Sequence, residues 1–170
     1  EKGEDYYYIN TGSPHYIVNV DDVKAVDVKT KGANIRYNER FKAAGTNVNF
    51  VKFNDIELDI RTYERGVEDE TLSCGTGVTA AALSLADTKK LQEGVIYINA
   101  AGGNLKVGFK RNGNEFKDIW LIGPATFVFK GSVEVWSRKK EVWSRKKEVW
   151  SRKKEVGSNK NKEWNLNSKI

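Results

Sequence analysis

Between Tyr6 and Phe129 apolar and polar residues alternate in short runs, the period-two pattern of strands. Tyr6-Tyr7-Tyr8-Ile9 and His15-Tyr16-Ile17-Val18-Asn19-Val20 are rich in aromatic and β-branched residues and are split by the turn Thr11-Gly12-Ser13-Pro14. Residues 47–53 and 56–63 alternate as a hairpin joined at Asn54-Asp55, and further strands are predicted at 95–98, 105–110, 116–122 and 127–129. The stretch 22–41 has no clear period, and Ile35–Phe41 reads as a short helix. One segment breaks the alternation. From about Gly77 to Ala86, Ala80, Ala81, Ala82, Leu83 and Leu85 make the chain apolar nearly all round, which predicts a buried helix. Many strands around one buried helix define an α+β class, a mixed or antiparallel strand barrel wrapped around a central helix.

The pattern changes abruptly at its C-terminal end. Glu-Val-Trp-Ser-Arg-Lys-Lys occurs unchanged at 134–140, 141–147 and 148–154. Its period is seven, but the apolar pair is adjacent, so it lacks the a/d spacing of a coiled coil. Identical copies point to a tandem duplication and a weakly structured, low-complexity tail. A basic stretch with regular Trp could alternatively lie on an anionic membrane or a nucleic-acid backbone. The chain therefore divides into a folded domain, residues 1–135, and a basic tail, residues 136–170.

Charge follows the same division. The net charge is +6, yet residues 136–170 hold twelve Lys/Arg and four Glu, leaving seventeen Lys/Arg against nineteen Asp/Glu in residues 1–135. The basicity belongs to the tail, and the body gives no reason to expect nucleic acid or membrane as a partner. A single cysteine cannot form an internal disulfide, which favours a reducing compartment and a cytoplasmic location. No apolar run approaches membrane-spanning length. The sequence has no methionine and opens on Glu1-Lys2-Gly3-Glu4-Asp5, which reads as an exposed linker and a piece of a longer protein.

The candidate chemistry gathers at that lone cysteine. Cys74 stands before Gly75-Thr76-Gly77, the turn that opens the buried helix. A helix start offers unpaired N–H groups and the positive end of the macrodipole, where thiols ionise more readily and anions are held. Glycines let a ligand approach the main chain. The arrangement suits a thiolate acting on a carboxylate-bearing substrate; the alternative is a small buried hydrophobe.

Four stretches in order, Gly12-Ser13-Pro14-His15, Gly45-Thr46-Asn47-Val48-Asn49-Phe50, Thr62-Tyr63-Glu64-Arg65-Gly66 and Glu70-Thr71-Leu72-Ser73-Cys74-Gly75-Thr76-Gly77, resemble the C-terminal half of diaminopimelate epimerase. The resemblance runs from about Tyr6 to Val135, with Gly123-Pro124-Ala125 and Phe127–Gly131 similar to the family's closing strands. It implies two similar domains, each a strand barrel around a helix, with the substrate between them. It also implies an isomerase without cofactor or metal, interconverting LL- and meso-diaminopimelate for lysine and peptidoglycan precursors. Two cysteines act there as a thiolate/thiol pair, and Cys74 matches the second. The resemblance assigns Glu64 to contact the reacting end of the substrate and influence the thiols, and gives His15 a similar modulating role. It assigns Gly75 and Thr76 as donors to the α-carboxylate, and Ser13, Asn47 and Arg65 as the holders of the distal amino-acid end.

Three departures accompany it. Ser13 stands where the family usually has Asn, and Glu68-Asp69 lengthens the Glu64-to-Cys74 interval by one residue. The stretch that carries the partner cysteine is absent from this sequence. The expected partner is therefore the missing N-terminal half, and without it the exposed apolar face should promote self-association. Other readings are a related isomerase acting on another amino acid, and a non-catalytic fragment whose tail binds membrane or nucleic acid.

Overall fold

Buried positions alternate along residues 14–19, 57–64, 93–100 and 103–112, which form strands, and two helices link the strands that run parallel. The computed structural model describes residues 1–133 and the backbone of 161–165. Strands are β1 (Tyr6–Asn10), β2 (Pro14–Asn19), β3 (Asn47–Asn54), β4 (Glu57–Glu64), β5 (Asp69–Thr71), β6 (Glu93–Ala100), β7 (Gly103–Asn112), β8 (Glu115–Pro124) and β9 (Asn161–Asn165). Helices are α1 (Val28–Arg36) and α2 (Gly75–Thr88). Among the described residues all strands join one mixed sheet, ordered β1-β2-β3-β4-β6-β7-β8-β9, with β5 paired to β4. β2 pairs parallel to β3 and β4 parallel to β6, so α1 and α2 are crossover connections; the other pairs are antiparallel.

The sheet curls around α2, as the pattern predicts. Residues Gly77–Ala86 of this helix are all buried, against Ile17, Val51, Leu58, Ile60, Ile96, Ile98, Val107 and Phe109. Each Val or Leu taken fully out of water there stabilises the fold by roughly 1.5–3 kcal/mol. β3 is buried on both faces because Val51 points to α2 while Val48 and Phe50 pack with Val26, Val28 and Tyr63 on the α1 side. That double burial places β3 at the centre of the molecule, and its polar residues Asn47 and Asn49 with it.

Three elements differ from the sequence reading. The helix expected at Ile35–Phe41 lies earlier, at Val28–Arg36. Asp27 caps it by accepting from the Thr30 N–H at 3.1 Å, and the Asn38 side chain turns the chain out of it by accepting from the Arg40 and Phe41 amides. Asp27→Ala should weaken the helix start and lower the melting temperature, measured by thermal unfolding; an unchanged midpoint would show that the cap is dispensable. β5 was not expected, being three residues with no alternation. The strand expected at 127–129 does not form: Phe127, Val128 and Phe129 are exposed, and the free edge of β8 is paired with β9 instead.

The heptapeptide repeats lie outside the described residues, as does most of the tail. Residues 161–165 are the exception, pairing antiparallel to β8 from Trp120↔Asn165 to Pro124↔Asn161. No helix among the described residues is long and apolar enough to cross a membrane.

Candidate active site

The helix that organises the core also presents the thiol. β4 and β5 lead into a short extended segment, and Cys74 takes up extended backbone (φ −122°, ψ 107°) as the residue before the first turn of α2. No side chain caps this terminus. Its leading N–H groups thus lack a side-chain acceptor, the arrangement that holds anions at helix starts. Cys74 itself is 8% exposed and free, so it lies at the lip of the core.

His15 of β2 is fully buried beneath that terminus. Its Nε2 lies 2.9 Å from Thr76 Oγ1, which in turn lies 3.5 Å from Cys74 Sγ. Thr11 donates its hydroxyl to the Thr76 carbonyl at 2.9 Å, tying the turn before β2 to the same helix start. Burial, and then the nearby positive charge of Arg65, hold the His15 imidazole down to about 4, so it is neutral near pH 7.

The residues assigned to the distal end of a substrate form a second group. Asn47 Nδ2 donates to Ser13 Oγ at 2.8 Å and to the Pro14 carbonyl at 2.9 Å, while its Oδ1 accepts from the Arg65 N–H at 2.9 Å. Asn47 is thus a buried tie between the Ser13 turn and the Arg65 turn, both ends of its amide being used within the scaffold. The Arg65 side chain is exposed and donates to the Ala44 carbonyl at 2.9 Å. It forms no ion pair with a carboxylate among the described residues, which leaves a guanidinium face for an incoming one.

Glu64 ends β4, pairs with Asp69 of β5 and accepts from Thr71 Oγ1 at 2.9 Å. This bond fixes its carboxylate on the strand that leads to Cys74, without a direct bond to the thiol. In the turn between β4 and β5, Glu68 adopts φ 58° and accepts from the Gly66 N–H and the Tyr63 hydroxyl.

The structure therefore brings Cys74, Thr76 and His15 into one hydrogen-bonded set, Ser13, Asn47 and Arg65 into another, and holds Glu64 through Thr71. Four further participants were missed: Thr11, Asn49, Thr62 and Thr71. Asn49 did leave a signal, a second amide within the Val- and Phe-rich start of β3. No cluster of three or more His, Cys, Asp or Glu side chains among the described residues could hold a metal ion. Two shallow surface recesses, both lined by Lys2 and Tyr7, include none of these site residues.

The curled sheet around one buried helix is shared with solved structures. A PhzC/PhzF phenazine-biosynthesis protein from Clostridium difficile superimposes with a TM-score of 0.52 at 19% identity, over 76% of this chain and 48% of that one. A PhzF-family protein from Enterococcus faecalis gives 0.50 at 15% identity, over 72% and 42%. These likenesses establish the fold alone. Sequence comparison is more specific. The diaminopimelate epimerase family model matches residues 7–128. The diaminopimelate epimerase of Flavobacterium psychrophilum is 47% identical over 131 residues, covering 76% of this chain and 51% of the relative. That of Chlorobaculum tepidum is 45% identical over 130 residues, covering 75% and 49%. The chain belongs to the diaminopimelate epimerase family, whose members are isomerases. It spans about half the length of the curated relatives it matches.

Proposed function

We propose that this chain supplies one face of a cofactor-independent diaminopimelate epimerase active site, with Cys74 as one of two proton-transfer groups. The observation that carries this reading is the placement of the thiol at an uncapped helix start, joined through Thr76 to a buried neutral His15. Inverting a Cα–H centre needs a base on one face and an acid on the other, because one residue alone returns the proton to the side it left. Cys74 as thiolate takes the α-proton and becomes a thiol. A second thiol, on the half that this chain lacks, protonates the opposite face and becomes the thiolate. No net proton is gained or lost.

The other residues act around that exchange. The Gly75 and Thr76 amides face the α-carboxylate, where negative charge grows as the carbanion forms. Arg65 pairs with the distal carboxylate, and Asn47 fixes the turns carrying Arg65 and Ser13. Glu64 and His15 supply fixed charge and dipoles near the thiols. The missing half encloses the substrate and excludes water, which strengthens each of these interactions.

The test is conversion of LL- to meso-diaminopimelate in deuterated water by the purified chain, with and without the N-terminal half of a relative. We expect no conversion by the chain alone and measurable conversion by the pair. Inversion by the chain alone would overturn the half-site reading. Lack of turnover by pairs shown to be folded and associated would overturn the epimerase reading.

A further inference from the structure

His15 is the only histidine in the chain, and the hydrogen bonds around it decide which of its ring nitrogens carries the proton. Asn49 of β3 is fully buried beside it. The Asn49 Nδ2 donates to the Tyr16 carbonyl at 3.4 Å and also lies 3.2 Å from His15 Nδ1. A backbone carbonyl can only accept, so the amide atom facing it is the NH₂ group. On the other side Thr62 donates its hydroxyl to Asn49 Oδ1 at 3.0 Å, which holds the amide in the same orientation. The His15 Nδ1 is therefore met by a donor and must offer its lone pair. The proton of the neutral ring then sits on Nε2 and points to Thr76 Oγ1. With its oxygen already accepting from His15, Thr76 is free to turn its own hydroxyl hydrogen toward Cys74 Sγ. The packing is built to this arrangement: a Cβ at Gly77 would lie 2.5 Å from Asn49 Oδ1 and 3.3 Å from the His15 ring.

We propose that Asn49, locked by Thr62, is a positioning residue that holds His15 as the Nε2–H tautomer, so that a directed donor chain Asn49–His15–Thr76 ends on the Cys74 sulfur. A donor held toward the sulfur gives it a directed hydrogen-bond partner whenever it carries negative charge. The link to catalysis rests on the epimerase reading of Cys74; the tautomer does not.

Because the chain has one histidine and one cysteine, both ends of the relay can be read without resonance assignment or competing thiols. Nitrogen-15 NMR of the imidazole in the purified 170-residue chain at pH 7 should show a protonated Nε2 and an unprotonated Nδ1. Asn49→Asp replaces the donor by an acceptor and should move the proton to Nδ1. The Thr76 hydroxyl then donates to the ring instead of the sulfur, and the rate of Cys74 alkylation by iodoacetamide should fall about tenfold, the effect of one hydrogen bond to a charged group. Thr76→Val should slow alkylation similarly while leaving the proton on Nε2. An Nδ1–H tautomer in the unsubstituted chain overturns the proposal, whether or not the variants fold. So does a folded Asn49→Asp protein, checked by circular dichroism, with the proton still on Nε2 or with unchanged alkylation. Failure of the two halves to turn over diaminopimelate would leave the tautomer result standing, and the reverse holds equally.

Discussion

Cys74→Ala, paired with the complementing N-terminal half, should abolish inversion of LL-diaminopimelate, a loss of at least roughly 10²–10⁴-fold, the contribution of one positioned acid or base. The substitution isolates chemistry from folding. Cys74 makes no capping hydrogen bond, and its side chain lies at the lip of the core, so alanine leaves both the helix start and the packing behind it in place. The circular dichroism spectrum and the unfolding midpoint should stay close to those of the unsubstituted chain. The partner thiol survives in the other half, and this gives a second readout. It can still remove a proton from the face it meets and return a deuteron to the same face. Deuterium should therefore enter one stereoisomer without changing its configuration. Full inversion by the Cys74→Ala pair would remove Cys74 from the mechanism. Loss of inversion together with loss of the fold would make it a structural residue.

What the sequence makes legible follows the range of the forces involved. β4 and α2 can be read because each is fixed by local periodicity, a strand with alternating burial and a helix apolar on all sides, while β3 declares itself by its Val and Phe content. α1 is misplaced because its boundaries are set by side-chain caps, Asp27 before it and Asn38 after it. Its surface is polar, with only Val28 and Gly32 buried. The residues around Cys74 were found through resemblance, since His15 and Thr76 meet across 61 positions of sequence and no local pattern joins them. The resemblance supplied names for the site but not its wiring. Asn47 was assigned to a ligand, whereas its amide ties together two turns; Asn49, two residues on, received no role although it faces the histidine directly. Both are polar residues in a strand buried on both faces, and such residues need partners there.

That burial has a consequence for acid stability that can be measured on this chain alone. The His15 imidazole is held down to about 4 from an ordinary 6.5, first by burial and then by Arg65. Above pH 6.5 the ring is neutral in both folded and unfolded chains and contributes no pH dependence. As the pH falls from about 6.5 to about 4, the unfolded chain binds a proton that the folded chain refuses, so stability falls with it. Below about 4 both states are protonated and the penalty stops growing, at roughly 3 kcal/mol for this separation of values. Glu68, Asp69 and Asp87 are held below their ordinary ranges by hydrogen bonds and neighbouring cations, and so also lose stability in acid, but in a lower window. Urea unfolding between pH 7 and pH 4.5 therefore separates the histidine from the carboxylates. His15→Gln keeps a polar group in the site and removes the titration, so its stability should be nearly flat across that interval, while the unsubstituted chain loses most of the roughly 3 kcal/mol. Parallel slopes for the two proteins would mean that His15 takes up its proton alike in the folded and unfolded chains, so that neither burial nor Arg65 holds it down.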